Sequence, residues 1–343
     1  MTFLNKMTTR TGLAAALLAG TVMTASAFTA CQVTDTGGID DAGFNQTAWK
    51  GVQDAMAADD SVEGRFLESQ AETDYEANLN SLIEGGCDII VTVGFLMGDA
   101  TKAAAEANPD QKFSIVDFAY DPTIDNVLGQ VYATEQGAFL AGYLAAGMSE
   151  TGVVGTFGGI NIPPVTAFMD GFYYGVNYYN EQKGTDVSVL GWNPESKEGL
   201  FTGNFDSLDD GRAFAENLSQ EGADIIMPVA GPVGLGSAQL ADEMGTDQLK
   251  IIGVDADQTQ TDPEKADVYL TSVLKRMDST VTQVINMAQD GSFEGGLIVG
   301  TLENEGVGLA PYGAFEDTVP DELKAEIEAV KAGIIDGSIT VGM

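Results

Sequence analysis

The chain has 343 residues, 44% of them hydrophobic, with 15 Lys and Arg against 52 Asp and Glu, no histidine and a formal net charge of -37. Length and apolar content support two domains of ordinary size with real cores, and the acidity leaves no basic stripe with which to hold nucleic acid or an anionic membrane surface. The lack of histidine removes every catalytic triad, dyad or zinc site that depends on one.

Residues 1–27 place Lys6 and Arg10 before the apolar run Gly12 to Gly20 and end in Ala25-Ser26-Ala27, the layout of a secretory signal peptide. Its removal costs two basic groups and no acidic one, taking the net charge from -37 to -39. No later stretch approaches the roughly 20 apolar residues of a spanning helix, so the mature protein is expected to be soluble in the periplasm or another extracytoplasmic space. A solvated acidic coat of this kind keeps a protein dispersed in high salt, where self-repulsion is screened, and points to a saline habitat.

In chain order, Ala30 to Val33 reads as a first strand and Thr34 to Asn45 as the loop behind it, which carries Gly37-Gly38 for a tight turn. A helix follows through Trp49, Val52 and Met56 to about Ala58, then a strand from Gly64 to Ser69. Apolar residues at Tyr75, Ala77, Leu79, Leu82 and Ile83 mark a helix stopped by Gly85-Gly86. Asp88 to Val93 is a continuous apolar strand, as in a parallel sheet covered on both faces. An alanine-rich helix to Asn108, strands at Lys112 to Phe118 and Asn126 to Tyr132, and a helix from Glu135 to Met148 complete one α/β domain.

The alternation then restarts, with strands at Gly152 to Phe157, Val187 to Trp192, Asp224 to Val229 and Leu249 to Val254, and helices at Val165 to Asn180, Asp209 to Glu221 and up to Met244. From about Thr261 the order breaks into an extended run, Val268 to Arg276, a helix, Met277 to Asp290, short strands at Gly296 to Leu302 and Val307 to Leu309, and a last helix, Pro320 to Ala332. The expected fold class is α/β: two doubly wound parallel-sheet lobes joined by a multi-strand hinge. The first lobe takes residues 28–148 plus about 261–292, and the second residues 149–260 plus about 293–343. Such lobes close on a ligand between them.

Cys31 and Cys87 each open an apolar strand-like run. First and third strands of a doubly wound sheet are commonly neighbours, which would let these two form a disulfide in an oxidising compartment. A lipidated Cys31 is the competing reading, with Phe28-Thr29-Ala30 a poor match to a lipobox.

Several motifs are discounted. Gly231 to Gly236 lacks the Gly-Lys-Ser/Thr ending of a phosphate loop, and Pro232 removes a donor. Asp255-Ala-Asp257-Gln-Thr259 starts like a calcium loop, but Gln260 and Ala266 stand where glycine and glutamate are needed. In the first loop, Asp40 or Asp41 can be a plain helix cap. Gly158 to Pro164 reads first as the turn into a helix, with Pro163 or Pro164 near its first position, and second as a ligand contact. No catalytic residue, metal or cofactor is assigned. The residues that do fall together are Asp35, Phe44 and Asn45 after the first strand, Asp117 and Asp255 at strand ends, Met227 before a glycine loop, and Lys275 in the crossing run. Ligands of open parallel sheets bind at these carboxyl ends.

Five segments carry a resemblance to a known family: Asp35-Thr-Gly-Gly-Ile-Asp-Asp-Ala-Gly-Phe-Asn45, Ile115-Val-Asp-Phe118, Gly158-Gly-Ile-Asn-Ile-Pro-Pro-Val-Thr-Ala-Phe-Met-Asp-Gly171, Gly253-Val-Asp-Ala-Asp-Gln258 and Thr271-Ser-Val-Leu-Lys-Arg276. Over nearly the whole mature chain the sequence resembles the basic membrane protein family of periplasmic binding proteins, the nucleoside-binding components of ABC importers. The resemblance implies a type I periplasmic-binding-protein fold and a monomer, not an enzyme, that delivers a nucleoside, with a purine first in line, to an ABC permease. It further implies that Phe44 stacks on the base, that Asp35, Asn45 and Asp117 hydrogen-bond base or sugar, that Asp255 takes the ribose hydroxyls and that Lys275 donates to a ligand oxygen. The sequence departs from the family at Met227, where many members carry a second stacking aromatic, and at Pro232, where a glycine is common; a methionine sulfur can lie on a ring. Two other functions fit the export signal. One is a ligand-sensing module for a membrane receptor, and the other a nucleoside hydrolase with Asp35, Asp40 and Asp41 around a metal.

Overall fold

Strands that are apolar on both faces need cover on both faces, and the intervening helices supply it. The computed structural model describes Thr2 and residues 27–342, so the expected export signal lies, Thr2 and Ala27 aside, outside the described residues. The first half of the chain alternates β1 (Phe28–Val33), α1 (Phe44–Ala58), β2 (Val62–Leu67), α2 (Tyr75–Glu84), β3 (Ile89–Val93), α3 (Gly98–Ala107), β4 (Lys112–Val116) and β5 (Val127–Tyr132). Next come α4 (Thr134–Met148), β6 (Val153–Gly158), α5 (Pro163–Lys183), β7 (Ser188–Leu190), the small hairpin β8 (Trp192–Asn193) and β9 (Glu198–Gly199), α6 (Leu208–Gln220), β10 (Ile225–Val229) and α7 (Val233–Met244). The chain closes with β11 (Lys250–Asp255), α8 (Gln258–Thr261), β12 (Tyr269–Lys275), α9 (Met277–Asp290), β13 (Gly296–Gly300), β14 (Val307–Leu309) and α10 (Asp321–Ile335).

One sheet runs β13-β5-β4-β3-β1-β2, all parallel. On one face α1 and α9 pack Ala48, Val52, Val281 and Ile285 against it; on the other, Tyr75, Leu79 and Ala105 of α2 and α3 meet Phe113 and Ile115. Because β1 lies beside β3, Cys31 comes within a Cα–Cα distance of 6.0 Å of Cys87, and the two form a disulfide within the second of these layers. The other sheet runs β14-β12-β11-β10-β6-β7, with β14 antiparallel to β12. Among the described residues no helix is long and apolar enough to cross a membrane.

The lobes divide differently from the sequence expectation. Helix α4 packs along α5 in the second lobe, β12 pairs with β11 there, and β13 returns to the first sheet beside β5. Glycines explain the helix pairing. A Cβ at Gly142 would stand 2.1 Å from the Phe172 carbonyl oxygen, and one at Gly175 2.0 Å from that of Phe139, so the α4 and α5 backbones meet at a distance only glycine permits. By packing and pairing, the first lobe is residues 28–132 plus 277–300 and the second residues 134–275 plus 302–342. The chain crosses between them near Tyr132, Lys275 and Gly300.

Candidate functional site

The carboxyl ends of both sheets face one another across a narrow cleft of about 600 Å³, its open mouth included. Six of the seven residues singled out in the sequence line it: Asp35, Phe44, Asn45 and Asp117 from the first lobe, Asp255 and Lys275 from the second.

The first β–α loop is built around two carboxylates. Asp41 accepts the backbone N–H groups of Gly43, Asn45 and Gln46 at 2.8–3.0 Å, which makes it the cap of α1, while Asp40 is exposed. The alternative of a metal held by Asp35, Asp40 and Asp41 finds no support among the described residues, since Asp41 is engaged by the helix start and Asp40 faces solvent. Asn45 Nδ2 donates to Asp35 Oδ1 at 2.8 Å and to Asp41 at 3.2 Å. Burial pushes Asp35 up from 3.8 to about 6, against the pull of Asn45 and the Gly37 N–H, and pushes Asp41 up to about 7. Gly94 lies under Asp35, where a Cβ would stand 2.6 Å from its carboxylate oxygen.

Lys275, 2% exposed at the end of β12, is the only cation among the residues lining the cleft. Its Nζ donates to Asp117 Oδ2 at 2.6 Å and lies 3.5 Å from Asp255. Burial pulls its pKa down, but the two carboxylates outweigh this and leave it above the ordinary lysine value; burial raises Asp255 despite the lysine. The same Nζ sits 4.8 Å from the Phe44 ring centroid, 5.4 Å from Phe168 and 5.6 Å from Tyr132, within cation–π range. Asp117 and Asp255 hold φ of 65° and 68°, the left-handed region that costs a non-glycine residue energy and recurs at binding sites.

Met227 is a correction. It lies in the middle of β10, fully buried in the second lobe's core with Phe172 and Val176, and the cleft is instead reached by Val229 and Ala230. The aromatics lining the cleft from the second lobe are Phe168, on α5, and Phe205, in the irregular stretch between β9 and α6. Hydrogen bonds from Thr202 and Gly203 to the Gly158 and Gly159 carbonyls pin that stretch, and a Cβ at Gly159 would stand 2.3 Å from the Phe205 ring. The signal for Phe205 was therefore the Gly158-Gly159 pair, 46 residues upstream. The segment after that pair makes the turn into α5, which Pro163 opens, and brings Ile162 and Pro164 to the cleft wall. Gly231 and Pro232 line it too, at the start of α7.

Comparison with known proteins agrees with this geometry. The Bmp family pattern, described as ABC transporter substrate-binding protein PnrA-like, matches residues 28–342. The ABC transporter nucleoside-binding protein BmpA of Lactococcus lactis subsp. cremoris is 31% identical, with 90% of this chain and 87% of that one aligned. The CD4+ T-cell-stimulating antigen of Listeria monocytogenes is 32% identical over 92% of this chain and 88% of its own. An ABC transporter system solute-binding protein of Aeropyrum pernix superposes with a TM-score of 0.81 at 28% identity, covering 91% of this chain and 92% of that one. Members of this family are solute-binding proteins and not enzymes, and their two-lobed architecture is the type I periplasmic-binding fold. The chain belongs to the Bmp family of PnrA-like ABC transporter substrate-binding proteins.

Proposed function

We propose that the protein binds a purine nucleoside between its lobes, outside the cytoplasm and as a monomer, and delivers it to the permease of an ABC importer. The observation that carries this reading is a cleft lined by Phe44 from the first lobe and Phe205 from the second, together with Asp35, Asp117, Asp255 and Lys275. A flat heteroaromatic base is a ligand that such aromatic side chains can stack on. Ring N–H and ribose hydroxyl groups are the donors that buried carboxylates need. Four cleft carboxylates, Asp35, Asp41, Asp117 and Asp255, against one lysine disfavour an added phosphate, so the charge favours a nucleoside over a nucleotide. The relative from Lactococcus is a nucleoside-binding protein by name, which supports the same class.

Native mass spectrometry of the exported protein tests the ligand class. A bound mass equal to a purine nucleoside is expected, and a bound sugar, amino acid or nucleotide would overturn it. Uptake of labelled guanosine by cells with and without the protein tests delivery.

A further inference from the structure

The segment Gly253-Val-Asp-Ala-Asp-Gln258 gives the cleft only Val254 and Asp255, and its two outer residues have no place in ligand contact. Yet they act on one another. The Gln258 side chain leaves α8, crosses over β11 and ends against the opposite lobe, where Nε2 donates to the Ala42 carbonyl at 3.1 Å. A Cβ at Gly253 would lie 2.4 Å from Gln258 Cγ, so glycine at 253 is what leaves the path open. The same Nε2 lies 3.3 Å from the Val254 carbonyl, and the Gln258 backbone N–H is tied to Ser272 Oγ. Both neighbours of the amide nitrogen are carbonyl oxygens, which fixes the amide's orientation: turned over, it would set oxygen against oxygen. Gln258 is 8% exposed, so the bridge is made away from water.

Its target is well chosen mechanically. Ala42 holds a φ of 54°, an uncommon conformation for a non-glycine residue. It sits between Asp41, which caps α1, and Phe44, the first residue of that helix. We propose that Gln258 is a closure latch, a positioning residue that touches no ligand but holds the lobes together by gripping the loop that presents Asp35, Phe44 and Asn45. Affinity for any cleft ligand is scaled by the fraction of molecules closed, so losing the latch weakens all ligands by one common factor. A ligand-contacting residue instead discriminates between ligands.

The probes guanosine and inosine rest on the nucleoside reading. Gln258→Ala, Gly253→Ala and the double variant are titrated calorimetrically with both, dissociation is followed by stopped flow, and the ligand-free proteins are compared by small-angle scattering. Loss of one neutral hydrogen bond predicts a dissociation constant raised about 2- to 13-fold. The rise should be the same for both nucleosides and lie in the dissociation rate, while the ligand-free melting temperature stays put. Gly253→Ala should give a similar loss by displacing the glutamine, and the double variant should be no worse than either single one. Scattering should report a larger radius of gyration for Gln258→Ala than for the parent. Additive losses, a loss that differs between guanosine and inosine, or unchanged affinity would overturn the latch. If the parent binds neither nucleoside, the ligand reading falls and scattering alone judges the latch, an unchanged radius counting against it.

Discussion

Replacing Lys275 by methionine tests the electrostatic logic of the cleft, because the change keeps the apolar stem and removes only the charge. The lysine sits 2.6 Å from Asp117 and 3.5 Å from Asp255, with the two carboxylate side chains only 7% and 9% exposed. At an effective dielectric constant of about 20 these two pairs are worth about 6 and about 5 kcal/mol of Coulomb attraction. Burying three charges costs several kcal/mol each, so the triad's net stabilisation is far smaller than that sum. What the substitution measures is the penalty of leaving two carboxylates buried without a partner, about 3–5 kcal/mol. Urea unfolding of the ligand-free protein at pH 8 should report a loss of that size. The loss should shrink toward pH 5, since protonation neutralises Asp255, whose pKa burial already raises and which loses the lysine that held it down. Lys275→Met/Asp117→Asn should recover part of the stability at pH 8. A neutral Lys275→Met, or a penalty that does not change with pH, would refute the reasoning.

Phe44→Ala should weaken the nucleoside by about 1–3 kcal/mol, as for base stacking on an aromatic platform, with much less effect on ligand-free stability; a large fall in melting temperature with affinity intact would make the ring a core residue. The Asp35 pKa of about 6, raised by burial above the unfolded 3.8, gives two trends of opposite sign. The folded state holds the extra proton between those values, so this group's contribution to ligand-free stability, about 3 kcal/mol at most, is present at low pH and lost as pH rises through about 6. Affinity for a ligand that donates N–H groups to the ionised carboxylate should instead fall as pH drops below about 6, and both trends should vanish in Asp35→Asn when Tm and Kd are followed from pH 8 to 5. Replacing Cys31 and Cys87 by serine opens a loop spanning 56 positions and should cost about 4 kcal/mol in chemical denaturation; a loss below about 1 kcal/mol would mean the bridge constrains little.

The alternation of elements was legible because a parallel strand buried on both faces is a short continuous apolar run, as in Ile89–Val93, where every residue is buried. Which lobe an element joins was not. Helix α4 is apolar almost all round, so its periodicity points to no particular face, and its attachment to α5 rests on glycine contacts between residues far apart in sequence. The site residues that sit at strand ends, Asp117, Asp255 and Lys275, were readable for the same reason the strands were. Met227 was misread because a buried strand offers no sequence sign of which residue lies at its rim; the cleft begins two positions later. Phe205 was missed because residues 200–207 follow neither a helical nor a strand period, and its placement depends on hydrogen bonds to Gly158 and Gly159.

The central claim is that the cleft recognises a purine nucleoside, and isothermal titration of ligand-stripped protein with guanosine, adenosine, inosine, cytidine and uridine tests it most directly. The account predicts a dissociation constant below about 100 μM for at least one purine nucleoside, and weaker binding of both pyrimidine nucleosides. Failure of all five to bind below about 100 μM, or tighter binding of cytidine or uridine than of any purine nucleoside, would contradict it.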